Sequence, residues 1–319
     1  MKKRYLLAAL VALSAASLFV GVSDLSPADL LSLSDLQAQI LFASRIPRLA
    51  SIVIAGMSLS IVGMIMQQLT RNRFVSPTTA GTDEAARLGV LVALMLFPAA
   101  PSLGKMAIAF AFALAGTYAF VYLLDRLKYK DAVLVPLVGL MFGGILGSVT
   151  TFFAYKYNLI QNIAAWLQGD FSLMMRGRYE LLYVSVPALI VAYIYANRFT
   201  VAGMGESFAA NLGLHYKRVV GLGLIVVALV SASVLLTVGM IPFLGLIVPN
   251  LAAMVRGDNL RKNLPFTALL GAVFVLACDL LGRLIIYPYE IPIGLTVGVV
   301  GSAVFLFLLF RGRAYGAIG

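Results

Sequence analysis

The chain has 319 residues, of which 61% are hydrophobic and only 12% are charged, and this composition excludes an ordinary soluble domain in favour of a membrane protein. Its single cysteine, Cys278, excludes a disulfide, and its single histidine, His215, excludes a multi-histidine metal site. The formal net charge of +11 lies in short clusters between apolar runs, which indicates membrane orientation rather than nucleic-acid binding. No metal site and no cofactor are predicted.

Ten apolar segments have lengths suitable for membrane spans, which predicts an all-α polytopic membrane protein with about ten transmembrane helices. The first is interpreted as a retained span rather than a signal peptide, because it is long enough to cross and no small-residue cleavage site follows it. The third and eighth are short, and the adjoining residues 80–86 and 240–243 could extend them. The predicted spans are 5–22, 49–69, 87–98, 106–124, 132–153, 181–196, 219–238, 244–255, 265–287 and 292–310.

Positive charges are concentrated in alternate connecting segments, which predicts an even number of spans with both termini in the cytoplasm. The inner segments then carry Lys2, Lys3, Arg4, Arg71, Arg73, Arg126, Lys128, Lys130, Arg198, Lys217, Arg218, Arg256, Arg261, Lys262, Arg311 and Arg313. The outer segments carry Arg45, Arg48, Lys105, Lys156, Arg176, Arg178 and, near a span end, Arg283.

The segment 205–219 lies between two long apolar spans and is predicted to form a short amphipathic helix on the cytoplasmic side. Phe208, Leu212 and Leu214 give it an apolar stripe near helical spacing. Glu206 suits the first turn of a helix, and Gly213 is a typical helix stop. Such a helix could lie on the membrane as an ordinary interfacial helix, or it could dock into a groove on a partner protein.

Small residues recur at helical spacing in three of the predicted spans, including Gly56, Ser60 and Gly63 in the second, which allows close approach of helix backbones. Plain packing within the bundle is the simplest interpretation, and the last span could equally contact a second subunit. The two glycine faces are Gly139, Gly143 and Gly147 in the fifth span, and Gly294, Gly298 and Gly301 in the tenth.

Two prolines, Pro242 and Pro249, are predicted to break the segment 237–250 into a buried re-entrant stretch, because irregular backbone at membrane depth must be covered by protein or by a water-filled cavity. Asp279 lies in the middle of a predicted span, four residues before Arg283, so the two side chains can share a helix face. Neutralisation by Arg283 is favoured over a proton relay, since the other predicted spans offer no chain of titratable groups.

Motifs for catalysis are absent from the sequence. It contains no phosphate-binding loop, no Gly-x-Ser-x-Gly nucleophile elbow and no His-Glu-x-x-His zinc motif. The chain is therefore predicted not to be an enzyme.

Several stretches together resemble the permease subunits of binding-protein-dependent ABC importers for ferric siderophores, haem and cobalamin, the FecCD-like family. In chain order they are 45–49 (RIPRL), 63–69 (GMIMQQL), 71–77 (RNRFVSP) with 80–81 (AG), 205–213 (GESFAANLG), 242–250 (PFLGLIVPN) and 290–294 (EIPIG). The stretches 74–82 (FVSPTTAGT) and 166–172 (WLQGDFS) are most similar to the catecholate-siderophore branch, including petrobactin- and vibriobactin-type importers. Asn250 departs from the family pattern, in which histidine is frequent.

The resemblance implies a type II ABC importer permease fold, with residues 1–319 forming one transmembrane permease domain and a coupling-helix loop at about 197–218. It implies a multi-pass protein of the bacterial cytoplasmic membrane, surrounded by lipid, that works with a second, identical or paralogous permease subunit. A cytoplasmic ABC ATPase dimer would hydrolyse ATP, and an extracytoplasmic siderophore-binding protein would deliver the chelate. Nucleic acid is not an expected partner.

The resemblance also implies three groups of site residues. The ATPase-coupling residues would be Gly205, Glu206, Ala209, Ala210, Leu212 and Gly213. The residues docking the binding protein would be Arg45, Arg48 and Arg283, for which headgroup snorkelling or pairing with Asp279 is the alternative. The two glycine faces would line the translocation path or pack beside it. Three alternative functions remain open: a haem or cobalamin permease, a proton-driven secondary transporter, and a membrane receptor without transport.

Overall fold

The computed structural model describes residues 3–21, 34–127, 133–257 and 259–315. These residues form thirteen α-helices, ten of them long and three short, and they contain no strand. Lys2, Lys128, Lys130 and the predicted span ends at 22 and 132 lie outside these residues. The helices are α1 (Lys3–Phe19), α2 (Asp35–Ile40), α3 (Ile46–Thr70), α4 (Thr82–Leu96), α5 (Ser102–Arg126), α6 (Leu134–Lys156), α7 (Ile160–Gln168), α8 (Ser185–Ala202), α9 (Glu206–Asn211), α10 (Tyr216–Thr237), α11 (Leu244–Arg256), α12 (Leu260–Leu284) and α13 (Ile293–Tyr315).

The predicted all-α architecture is confirmed, and each of the ten predicted spans corresponds to one long helix: α1, α3, α4, α5, α6, α8, α10, α11, α12 and α13. Among the described residues, six helical stretches are long and apolar enough to cross a membrane, judged by length and composition alone. The third span begins at Thr82, so part of 80–86 does extend it, whereas 240–243 is not helical and does not extend the eighth.

The second span starts earlier than predicted, because α2 continues through a π-helical turn, Leu41–Arg45, into α3. Arg45 and Arg48 therefore lie inside a continuous helical run rather than at a helix start. Pro47 cannot donate to the carbonyl four residues before it, that of Ala43. The backbone N–H of Arg176 donates to this carbonyl instead, at 3.1 Å, which ties the outer loop 169–178 to the helix.

Helix α3 is the central element of the bundle and packs against α8, α10, α11 and α12. Its contacts depend on small residues. A Cβ added to Gly56 would lie 2.8 Å from the carbonyl oxygen of Gly271 in α12, and a Cβ on Gly63 would lie 2.0 Å from that of Gly245 in α11. Only residues without a side chain allow this approach of helix backbones, the usual mode of association within membranes.

The prediction that Pro249 breaks its helix is wrong, because α11 runs continuously through it. The carbonyl that Pro249 leaves without its helical donor is that of Gly245, which faces Gly63. The predicted irregular stretch is present at 238–243, where Val238, Gly239 and Ile241 are buried and the other three residues are half-buried. Its re-entry into the membrane stays a prediction. The next turn begins at Phe243, whose φ is +62°.

Single-cysteine labelling would test the orientation of this bundle. Ser207→Cys, in exposed α9, is expected to react only with a reagent added from the cytoplasmic side, and Arg178→Cys, in the exposed outer loop, only from outside. The native Cys278 is 2% exposed and gives little background. Labelling of both variants from one side would contradict the single span, α8, that separates the two positions.

Candidate functional site

The predicted amphipathic segment contains a short helix, α9, that stands between α8 and α10. Gly205 precedes it with φ +117°, and Gly213 follows it with φ +73°, conformations in which a side chain would be strained. The N–H of Gly213 donates to Ala210 at 2.9 Å, and that of Leu214 donates to Ala209 at 2.9 Å. This pair of bonds is a Schellman motif, so Gly213 ends the helix as predicted.

One face of α9 is held by the bundle and the other is exposed. Ala209 is 0% exposed, so it faces its own chain, contrary to the prediction that it meets a partner. Met204, Phe208 and Leu212 follow one another at four-residue spacing and are 57%, 47% and 62% exposed. Glu206, Ala210 and Gly213 are exposed as well. The exposed apolar ridge suits a helix that docks into a groove.

The loop that leads into α9 rests on the inner end of α3. The side-chain amide of Gln68 donates from Nε2 to the carbonyl of Thr200 at 3.3 Å. A Cβ on Gly203 would lie 2.1 Å from that Nε2, so the amide lies directly on the bare backbone of the loop. Arg71 follows α3, and a Cβ on Gly205 would lie 3.2 Å from its Nη1.

At the opposite end of the bundle, arginines and carboxylates of three segments form a charge network. Arg48 of α3 donates to Asp279 of α12 at 2.8 Å and to Glu290 at 2.7 Å. Arg283 pairs with the other oxygen of Asp279, as the four-residue spacing predicts. Asp279 is thus shared by two guanidinium groups.

Arg45 and Arg283 donate hydrogen bonds to the end of α1 and are not exposed on the surface. Arg45 donates to the carbonyl of Leu18, and Arg283 donates to those of Ser17 and Val20 at 3.0 and 3.1 Å. The last carbonyls of a helix lack helical donors and carry partial negative charge, and α1 has no basic residue in its last turn. Arg45 is 8% and Arg283 5% exposed, so neither guanidinium is presented on the outer surface.

The glycine face of α6 packs on α4 and on the turns that precede it. A Cβ on Gly139 would lie 2.1 Å from the carbonyl oxygen of Thr79, and one on Gly143 would lie 3.4 Å from Gly81 Cα. Gly147 lies over an ion pair between Glu84 and Arg87. The face is therefore turned towards its own chain, and the opposite face of α6 is exposed.

This polar cluster at the start of α4 was missed by sequence reasoning, which began the third span at Arg87. Arg87 and Asp83 are buried, Glu84 is half-buried, and Asp83 accepts a hydrogen bond from Thr78 at 2.9 Å. The expectation that the other spans offer no chain of titratable groups overlooked this cluster. The acidic pair after Gly81, in a position suited to a helix N-terminus, was the available signal.

The second glycine face, in α13, also packs within the chain. A Cβ on Gly294 would lie 1.9 Å from the carbonyl oxygen of Gln168 in α7, and one on Gly301 would lie 3.0 Å from Ile247 in α11. Gly298 is in ordinary contact distance of Pro242. Asn250 of α11 donates to the carbonyl of Arg73 at 2.8 Å and thereby ties α11 to the 71–81 segment.

Substitutions of the α6 glycines compare positions packed against neighbouring backbone with a position on the open surface. Gly139→Ala is expected to cost about 1–3 kcal/mol of local packing and to reduce transport, because its methyl group would overlap the Thr79 carbonyl. Gly143→Leu is expected to act similarly, whereas Gly144→Ala, with nothing within 4 Å in the chain, is the matched control for folding stability in thermal unfolding. Transport assays at equal amounts of inserted protein would decide, and an active Gly139→Ala variant would contradict the tight contact.

The chain is similar over nearly its whole length to permease proteins of import systems. The model of the FecCD transport family matches residues 8–311. The petrobactin import system permease protein YclN of Bacillus subtilis is 62% identical over 315 residues, covering 99% of this chain and 100% of that protein. The ferric-anguibactin transport system permease protein FatD of Vibrio anguillarum is 40% identical over 300 residues, covering 94% and 96%. A solved inward-facing structure, described as a metal-chelate type ABC transporter, has TM-score 0.82 and 25% identity over 97% of this chain and 98% of that one.

Proposed function

Because the chain belongs to the FecCD transport family, we propose that it is the transmembrane permease subunit of an ABC importer that carries a ferric siderophore of the catecholate type across the bacterial cytoplasmic membrane. The observation that carries the proposal is the 62% identity, over essentially the full length of both proteins, with a petrobactin import permease. Residues 1–319 would act as one transmembrane permease domain.

Energy for transport would come from a cytoplasmic ABC ATPase dimer on separate chains. The apolar ridge of Met204, Phe208 and Leu212 is exposed on the side that the charge bias assigns to the cytoplasm. We assign it to a groove on the ATPase, with α9 as the coupling helix. ATP would act by binding one of two conformations better than the other, so that movement of α9 shifts the bundle between outward- and inward-open forms.

The outer charge network supports the docking of an extracytoplasmic siderophore-binding protein. Two guanidinium groups, those of Arg48 and Arg283, pair with two carboxylates, those of Asp279 and Glu290. Glu290 remains 28% exposed in its side chain and Arg48 13%. Carboxylates of the binding protein would compete with the partly exposed Glu290 for Arg48, which would be the arginine that meets them, with Arg45 and Arg283 buried behind it.

A second permease subunit, identical or paralogous, would cover faces that one chain leaves open. Helix α6 buries its glycine face and exposes an apolar one that includes Leu140, Met141 and Ile145. This face is proposed to line the translocation path together with the second subunit, and lipid would cover the remaining apolar surface. The glycines Gly139, Gly143, Gly147, Gly294, Gly298 and Gly301 would then support the path from behind, as packing positions.

Uptake measurements would test the proposal. A strain that lacks this gene is expected to lose uptake of iron-55 as ferric petrobactin and to regain it with the gene restored. Ferric hydroxamate, haem and cobalamin are the comparison substrates, and uptake that depends on the gene for one of these alone would favour that alternative. Loss of uptake on collapse of the proton gradient at constant ATP would favour a proton-driven secondary transporter, although Asp279 and Glu84 are both engaged in ion pairs.

A further inference from the structure

Among the described residues, helix α3 carries side chains near both of its ends that make contacts at the surfaces proposed above to meet a partner. Near its outer end, Arg48 holds Asp279 and Glu290. At its inner end, Gln68 holds the carbonyl of Thr200. The helix between them is uninterrupted, and Arg48 and Gln68 are about 30 Å apart along its axis. Most of α3 is buried, so its two ends cannot shift independently of the core.

The contact at the inner end is made by an amide pressed onto bare backbone. Gly203 has no side chain, and any Cβ there would overlap the Gln68 amide. The bond to Thr200 therefore fixes the last turn of α8, from which α9 follows after a short turn. Displacement of α9 by a partner would be transmitted through the end of α8 to this bond and so to α3.

Arg71 adds a second contact at the same place. It adopts a left-handed conformation with φ +52°, which costs a residue with a Cβ about 1 kcal/mol and costs glycine nothing. Its Nη1 lies 3.2 Å from the position that a Cβ on Gly205 would take, directly before α9. The guanidinium group, rather than the backbone geometry, is thus what an arginine contributes here.

We propose that Gln68 and Arg71 are positioning residues that fasten the coupling helix α9 to α3, and that α3 is thereby the rigid connection between the ATPase-binding surface and the outer charge network. The inference rests on the proposed function, because it concerns how the two partner surfaces of that function are joined. Neither residue touches nucleotide or cargo; each acts through α9.

Three variants separate this role from general packing. Gln68→Met keeps the length of the side chain and removes its donor. Gln67→Met is the matched control, because the Gln67 amide donates instead to Leu246 of α11, at 3.2 Å. Arg71→Gly removes the guanidinium group while relieving the left-handed backbone. The measurement is uptake of ferric petrobactin per ATP hydrolysed, in proteoliposomes that contain the permease, its ATPase and the binding protein.

Gln68→Met and Arg71→Gly are expected to lower uptake per ATP by about fivefold or more, the range of a typical coupling between sites, while the ATPase still co-purifies. Gln67→Met is expected to keep the wild-type ratio, and Arg71→Gly to keep or raise the unfolding temperature. Wild-type ratios in both test variants would overturn the inference, as would a loss shared equally by Gln67→Met. A wild-type complex that hydrolyses ATP with its binding protein present but takes up no ferric petrobactin would instead overturn the proposed function, and this inference with it.

Discussion

The double variant Phe208→Asp, Leu212→Asp is expected to abolish uptake and to release the ATPase during purification, while the permease remains inserted in the membrane. Both side chains are exposed in the isolated chain, so their replacement leaves its own packing intact. Anchors of a helix in a groove each contribute about 2 kcal/mol or more, so the loss of two corresponds to roughly a thousandfold weaker binding. Buried aspartates without partners would weaken it further.

The control for this variant is Ser207→Asp with Asn211→Asp, which adds the same two charges, four residues apart, to the same exposed helix. Its complex is expected to assemble, because these positions lie outside the apolar ridge. The amounts of ATPase that co-purify with each tagged permease give the comparison. Equal recovery with both double variants would show that the ridge is not the ATPase anchor.

Replacement of Asp279 by asparagine is expected to destabilise the folded chain by about 3–5 kcal/mol, because Arg48 and Arg283 would lose the carboxylate that they share. Arg283 is buried, and its remaining partners are polar groups of α1, which do not balance its charge. In a protein of this size, such a loss corresponds to a fall of about 10 °C in unfolding temperature. The attachment of α1 would loosen first.

Glu290→Gln provides the matched comparison for Asp279→Asn. Glu290 pairs with the same Arg48, but it is more exposed, so its contribution is expected to be about 1 kcal/mol or less. Thermal unfolding of the two purified variants in one detergent would measure the difference. Similar unfolding temperatures for both would mean that the buried network does not stabilise the outer end of the bundle.

The sequence alone was enough for the all-helical architecture, because each apolar run must satisfy its backbone hydrogen bonds within one segment when it crosses a membrane. Local chemistry also identified the end of α9 at Gly213 and the pairing of Asp279 with Arg283, since both depend on residues within one or two turns of a helix. The start of α3 was misplaced because apolar runs do not reveal a π-helical turn, which continues the helix past Pro47.

The directions in which side chains point were decided by the tertiary structure. Sequence spacing placed Arg45 and Arg283 at the outer end, yet only the position of α1 shows that both turn inward, because the end of that helix supplies the free carbonyls. The same holds for Ala209, whose small size serves packing on its own bundle.

What the sequence by itself determined is therefore the set of spanning helices and the short amphipathic helix within 205–219, because composition and periodicity act locally along the chain. The orientation of the helices in the membrane stays a prediction from the charge bias. The contact of Gln68 with Thr200 joins residues 132 positions apart in the chain, and that of Arg48 with Asp279 joins residues 231 positions apart. Gly63 and Gly245, which also meet, lie in two different helices. No local pattern encodes such pairs. Such contacts form because helices with glycine at their crossing points approach closely. The polar groups that are brought together there must then bond to one another, since no water is available to satisfy them.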